Sequence, residues 1–370
     1  MSKKIKLLSI IETLTKGGAE RVLVNTLPKL QKLGIDCEVA ILFNEDDLAQ
    51  ELKEKGIKVH RLNLSYKWNI FEGTYKLFKL VKKEQYNIVH AHLFFAYFYT
   101  ALVKSFYWEI KTIVTFHNLG FDEYPANTFL KKIRKKIDCF ILNKLFTKTT
   151  SVSTAVQEHF SKHCEVQSTI IHNSFPLKNF YRYKIDIDIS TTKFRILTPG
   201  RFVEKKGHKY LIEAINILNK KHSNLEFLFV GRGPLVEIFK KNAPKNLSFI
   251  SEMPHSELMK LYNEVDMIVI PSIYEAFGLV VGEAMIMEKP IVATKVDGIV
   301  EMIDDKKEGL LVKSKNSIAL AKAIEILYQD KQLQERLIKN ASLKIQQFDT
   351  KNIAIRWKEF YIQILEKEEK

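Results

Sequence analysis

Short apolar runs rich in β-branched and aromatic residues alternate along this chain with longer segments whose apolar positions recur every three or four residues. In the first half the runs predict strands over 5–11, 38–43, 59–64, 88–92, 112–117, 149–153 and 169–172. Helices are predicted over 19–33 and 69–84, and a third by the spacing of Ile133, Ile137, Phe140, Ile141 and Leu145. The pattern restarts at Phe194, with strands over 194–198, 226–230, 247–250, 267–271, 291–294 and 310–312 and helices between them. Strands that read as continuous apolar runs need helices on both faces, which marks parallel α/β sheets. Residues 177–192 are polar, lack periodicity and follow Pro176, so they read as a linker. The expected fold is therefore α/β, with two Rossmann-like doubly wound domains facing each other across a cleft. The first domain is placed at 1–185 and the second at 186–350. A C-terminal helix within 351–370 is expected to pack back toward the first domain.

At 370 residues and 46% hydrophobic content, the chain can bury two cores. Its net charge of +15 is uneven. Residues 1–185 hold 29 Lys/Arg against 17 Asp/Glu, a net of +12, and residues 186–370 are nearly balanced at +3. A basic first half fits an acidic partner, whether nucleic acid, anionic lipid or a phosphorylated substrate; a solvated Lys-rich surface is the plainer reading. Cys37, Cys139 and Cys164 match no metal or redox spacing, which fits a reduced, cytoplasmic setting. The apolar run 5–11 is too short for a signal peptide, and 93–103 is about half of what spans a bilayer. The protein is expected to be non-integral but able to lie on a membrane. The segment 131–148 joins Lys131, Lys132, Arg134, Lys135 and Lys136 to an apolar stripe. Such a helix is expected to turn its stripe inward and its lysines toward anionic lipid.

Three strand-end segments carry candidate chemistry. Thr15-Lys16-Gly17-Gly18-Ala19-Glu20-Arg21 lies between the first strand and helix, where paired glycines admit a ligand close to the backbone and the helix offers free amides. It is not the dinucleotide fingerprint, and Gly-Gly at such a turn often only makes the turn. In Pro199-Gly200-Arg201-Phe202-Val203-Glu204-Lys205-Lys206-Gly207-His208, Arg201 and Lys206 flank a loop that opens a helix, as a diphosphate leaving group requires. The third, Pro271 to Met285, carries Glu275 on a loop and Glu283 in the second turn of a mostly apolar helix. A carboxylate on such a helix needs a partner, and carboxylates suit the vicinal hydroxyls of a ribose or hexose.

The stretch from Glu275 to Glu283 resembles the Glu-x7-Glu signature of the retaining nucleotide-sugar glycosyltransferases of family 4, also called group 1, which have the GT-B fold of two Rossmann domains. The resemblance also takes in Gly17-Gly18-Ala19-Glu20, Gly200-Arg201, Lys206-Gly207, Val230-Gly231-Arg232-Gly233-Pro234, Asp266, 289–294, Glu301 and 308–312, and so covers nearly the whole chain. It implies a hexosyltransferase that moves a hexose or N-acetylhexosamine from a nucleotide-diphosphate sugar to a glycan or lipid-linked acceptor. The setting implied is surface polysaccharide synthesis, capsule or lipopolysaccharide, peripheral to the inner face of the cytoplasmic membrane. By the same resemblance Glu283 holds the donor ribose, Glu275 the sugar hydroxyls, and Arg201 and Lys206 the diphosphate. The implied donor site adds Gly17, Gly18, Gly200, Gly231, Ala276, Phe277, Gly278 and Leu279. The implied catalytic group is Arg201, Lys206, Glu275 and His117, the last from a strand end facing the donor sugar, and Glu20 and Asn173 fall on the acceptor side. His90 and His92 alternate along strand 88–92, at most one side of which faces the cleft, and neither is assigned a role.

Two positions depart from the family pattern: Ser251 replaces a usual Gly, and Asp297-Gly298 a usual Gly-Gly in a loop expected near the donor. Donor sugar and base are left open. No cofactor or metal is expected, since Asp186-Ile187-Asp188 lies in the linker and two cations already serve the diphosphate. A nucleotide-sugar epimerase or hydrolase of the same fold is the alternative. Nucleic-acid binding rests on charge alone and lacks a recognition motif.

Overall fold

The computed structural model describes residues 4–123, 128–181 and 193–366. The chain forms two compact units, Met1–Phe175 with Phe348–Lys370, and Pro176–Gln347. The first unit runs β1 (Lys6–Ile11), α1 (Gly18–Lys32), β2 (Asp36–Ile41), α2 (Ala49–Glu54), β3 (Lys58–Arg61), α3 (Ile70–Glu84), β4 (Ile88–His92), α4 (Phe94–Phe106), β5 (Lys111–Phe116), α5 (Gly120–Glu123), α6 (Phe129–Lys144), β6 (Lys148–Ser151), α7 (Thr154–Cys164) and β7 (Thr169–Ile170). The second runs α8 (Leu177–Tyr181), β8 (Phe194–Pro199), α9 (His208–Leu218), β9 (Leu225–Gly231), α10 (Val236–Lys241), β10 (Leu247–Ser251), α11 (His255–Asn263), β11 (Met267–Ile270), α12 (Leu279–Ile286), β12 (Ile291–Thr294), α13 (Ile299–Met302), β13 (Leu310–Val312), α14 (Ser317–Gln329) and α15 (Lys331–Lys344). The chain then returns to the first unit as α16 (Thr350–Glu366).

Each unit has one parallel sheet. The first has the order β3-β2-β1-β4-β5-β6-β7 and the second β10-β9-β8-β11-β12-β13. Strand order reverses between β1 and β4 in one and between β8 and β11 in the other. In doubly wound sheets ligands bind beyond the carboxyl ends of such strands.

The units divide at 175/176 rather than 185/186. Residues 177–181 read as polar linker, yet they fold as α8, with Leu177 and Phe180 buried and the Phe180 ring 5.7 Å from His255. The second crossing is tied to the first by Phe175 N donating to Phe348 O (2.9 Å) and Thr350 N to Phe175 O (2.9 Å). Beyond it, Ile353, Ala354, Trp357, Phe360, Tyr361 and Ile364 of α16 join Leu23, Leu27 and Leu30 of α1 in the first core.

Two expectations are corrected. The stripe of α6 does not face inward: α6 buries Asp138, Ile141 and Leu142 and leaves Ile133, Ile137 and Phe140 exposed beside its lysines. The helix packs through that narrow face against α7, and among the described residues the remaining apolar positions stay exposed. The cysteine spacing carried no sign of pairing, yet a disulfide joins Cys139 of α6 to Cys164 at the end of α7, while Cys37 is free and buried. No helix among the described residues is long and apolar enough to cross a membrane.

Candidate active site

The switch point of the second sheet gathers the acidic and basic residues singled out from the sequence. Arg201 and Lys206 follow β8, and Glu275 follows β11. Lys206 Nζ lies 2.7 Å from Glu275 Oε2, which also accepts from Ser272 Oγ at 3.2 Å. The two loops are fastened by their backbones. Ile273 N donates to Lys205 O (2.7 Å), and Gly298 N donates to Glu275 O (3.0 Å). Gly207 makes this approach possible. Its φ of +67° is a left-handed value, and a Cβ there would stand 1.9 Å from Pro271 O. Arg201 is exposed, and its guanidinium makes no ion pair or hydrogen bond among the described residues. The loop after β8 thus holds one cation paired to the carboxylate of Glu275 and one that is unpaired among the described residues.

Glu283 sits in the second turn of α12, a helix whose Val281, Gly282, Ala284, Met285 and Ile286 are buried. Its carboxylate is held on both sides: Oε1 is 2.9 Å from His255 Nε2, and Oε2 accepts from Tyr262 OH at 3.3 Å. His255 and Tyr262 are seven residues apart on α11, two turns along one face. Tyr262 is fully buried, and that burial, with the Glu283 charge beside it, pushes its hydroxyl well above the usual tyrosine range. It is a donor at any working pH. Gly278, at φ +85°, caps α12, with Phe277 buried before it and Ala276 and Leu279 part-exposed at the helix start. A Cβ on Gly298 would meet Ala276 O at 2.5 Å, so the loop after β12 lies against this turn. Asp297, where the family usually has Gly, takes φ +30°.

Gly231 serves close packing. A Cβ on Gly231 would meet Gly200 O at 2.1 Å, which joins the ends of β9 and β8. His208, next to Gly207, is buried among Phe202, Phe229 and Phe239 with neither ring nitrogen bonded. Burial, then the charge of Lys206, lowers its pKa to about 3 and keeps it neutral.

In the first unit, Gly17 precedes α1 and Gly18 opens it. The space a Gly17 side chain would fill is taken by the carboxylate of Glu20, which accepts from Thr15 Oγ1 (3.2 Å). Burial raises the Glu20 pKa. His117 follows β5, and its Nε2 is 3.0 Å from Nδ1 of His92 at the end of β4. Asn173 is buried near the end of this unit. His92 was noted in the sequence without a role, and His255, Tyr262 and Ser272 were given none; of these three, only the seven-residue interval from His255 to Tyr262 leaves a trace there. Asp186 and Asp188 lie outside the described residues. Among the described residues, no three His, Cys, Asp or Glu side chains gather as they would around a metal ion.

Two Rossmann-like units, each built on one parallel sheet, define an α/β protein of the GT-B fold. Residues 16–178 match the model of glycosyltransferase family 4, and residues 181–344 that of the glycosyl transferases of group 1. The chain belongs to this family and is a glycosyltransferase. It is similar to an uncharacterized glycosyltransferase of Haemophilus influenzae, 27% identical over 350 residues, which span 92% of this chain and 95% of that one. It is also similar to the capsular polysaccharide biosynthesis glycosyltransferase CapH of Staphylococcus aureus, 26% identical over 71% of this chain and 70% of CapH. The fold matches that of Anabaena Alr3699/HepE, crystallised with UDP and glucose, with a TM-score of 0.82 at 20% identity over 96% of this chain and 99% of that one.

Proposed function

We propose that the protein transfers a hexose or N-acetylhexosamine from a nucleotide-diphosphate sugar, with retained anomeric configuration, to a glycan or lipid-linked acceptor in surface-polysaccharide synthesis. The observation that carries this reading is the arrangement at the end of β11. Glu275 and Glu283 are each fixed by neighbouring side chains, and Arg201, on the loop after the adjacent strand β8, is left unpaired among the described residues. Fixed carboxylates accept hydrogen bonds from sugar hydroxyls, Glu283 from the ribose and Glu275 from the transferred sugar. Arg201 and Lys206 receive the charge that develops on the departing diphosphate. The acceptor hydroxyl attacks the face the leaving group departs from, and its proton passes to a phosphate oxygen of the donor. No side-chain base and no metal take part. The kinship with CapH supports a surface glycan as the product.

The first unit is proposed to take the acceptor, with Glu20 and Asn173 on its side, and His117 is proposed as a catalytic residue. It is also proposed to rest on the anionic inner face of the cytoplasmic membrane. The exposed apolar face of α6, among five cations between 131 and 136, supports this placement.

A panel of nucleotide sugars, assayed for nucleoside diphosphate release with a membrane lipid extract and EDTA, tests the reading. Arg201→Ala and Glu283→Ala should each lower turnover about 10²–10³-fold. Near-normal rates in both variants overturn the assignment. Product NMR reads the anomeric configuration. Efficient release of free or epimerised sugar without acceptor favours a hydrolase or epimerase instead.

A further inference from the structure

Between the carboxyl half of the first sheet and helices α1 and α16 lies a partly open cavity of about 20 Å³, room for a water molecule, bounded by Ser9, His90, His92, Thr115, Trp357 and Tyr361 among others. Its polar wall can be oriented proton by proton. Thr150 Oγ1 donates to Val114 O (3.3 Å), so its 2.7 Å contact with Thr115 Oγ1 has Thr115 as donor. Thr115 must then accept from His90 Nε2 at 2.6 Å. Burial holds His90 neutral, with a pKa of about 3, so its Nδ1 carries a lone pair and accepts from Tyr361 OH at 2.9 Å. Every polar atom of His90 is spoken for. Its ring lies 4.1 Å from that of His92 and fixes one side of it.

His92 is different. Its Nδ1 meets His117 Nε2, while its buried Nε2 has no partner among the described residues. Ser9 Oγ, also fully buried on that wall, has none either. Burial lowers the pKa of both His92 and His117, the latter to about 4, so each is neutral at pH 7 and carries one ring proton. Only one proton can occupy the contact between them. It follows that the outer nitrogens are opposites: if His92 Nε2 accepts, His117 Nδ1 donates, and the reverse. Ser9 has one proton to give. Thr26 is bonded to Ser174 (3.0 Å), and Thr115 and His90 are engaged as above, so none of these takes the Ser9 proton, and the cavity has room for a water that would. Such a water has protons to donate, and His92 Nε2 is an unpartnered ring nitrogen of a residue on the same wall.

We infer that His92 is a positioning residue. Through water shared with Ser9 it places its own proton on Nδ1, and it thereby holds His117 as the tautomer with Nδ1–H, a donor suited to a hydroxyl or phosphate oxygen of the substrate. The inference rests on the proposed site role of His117. Its test is two-bond ¹H–¹⁵N correlation on ¹⁵N-histidine protein at pH 7, with steady-state kinetics on His92→Leu and His92→Asn. His117 should be Nδ1-protonated in the parent protein and in His92→Asn, whose amide replaces the Nδ1 donor. It should shift toward the Nε2–H form in His92→Leu. KM for the donor should rise about fivefold in His92→Leu and return in His92→Asn, as expected for one neutral hydrogen bond. An Nε2-protonated His117 in the parent protein, or an unchanged His117 signal in His92→Leu, overturns the inference. Unchanged transfer by His117→Ala instead overturns the site role of His117 and leaves the tautomer result standing, so the two failures are told apart.

Discussion

Glu283 is a carboxylate on an apolar helix, and it is stable there because two side chains of α11 reach it. The need for a partner could be read from the apolar positions around it. Which partner could not, since His255 and Tyr262 lie 28 and 21 residues away in sequence. Replacing His255 by Ala should weaken donor binding about fivefold, measured as Kd by titration, with little loss of thermal stability, because Tyr262 still fixes one oxygen. Gly207 is less forgiving. Its φ and its contact with Pro271 O both exclude a side chain. Gly207→Ala should cost about 2 kcal/mol or more in urea unfolding and lower turnover by displacing Lys206. Asp138 offers a pH test. Burial raises its pKa to about 6, against the opposing charge of Arg134 and a hydrogen bond from Tyr97. The folded state therefore holds this proton to higher pH than the unfolded chain does. The stability it contributes is present below about pH 4 and is lost as pH rises through 6. Asp138→Asn should remove that loss and unfold about 2 kcal/mol later than the parent protein at pH 8, with a smaller gap at pH 5.

At the scale of elements, the parallel strands were plain in the sequence because each is a buried apolar run bounded by turn residues. β4, β12 and β13 end where the pattern says they do. Helix α6 shows what periodicity leaves open. Spacing identifies an amphipathic helix, but coverage is decided by neighbours from distant sequence, and here only Asp138, Ile141 and Leu142 find them. The division between units was missed for a related reason: α8 is too short to show a period, and its two anchors, Leu177 and Phe180, look like any apolar residues in a loop. An exposed stripe invites a direct test. Ile137→Glu with Phe140→Glu should abolish co-flotation with anionic phosphatidylglycerol vesicles and leave the melting temperature within a degree or two, since neither residue is in the core. Unimpaired flotation removes α6 as the contact.

The whole molecule was legible as two α/β units because the strand–helix pattern restarts at Phe194. Its switch points, and so the meeting of Arg201, Lys206 and Glu275 at one sheet end, depend on strand order, which the pattern does not contain. Helix α16 makes a further demand. Six of its side chains lie in the first core although the entire second unit intervenes in sequence. During synthesis, then, the first unit cannot close when its own 175 residues have emerged. It must wait, with the α1 face of its core uncovered, until residues 350–366 leave the ribosome, by which time the second unit has all of its chain. The later-made half can finish folding first. Leu23, Leu27 and Leu30 are the surface that a chaperone would meet in the interval.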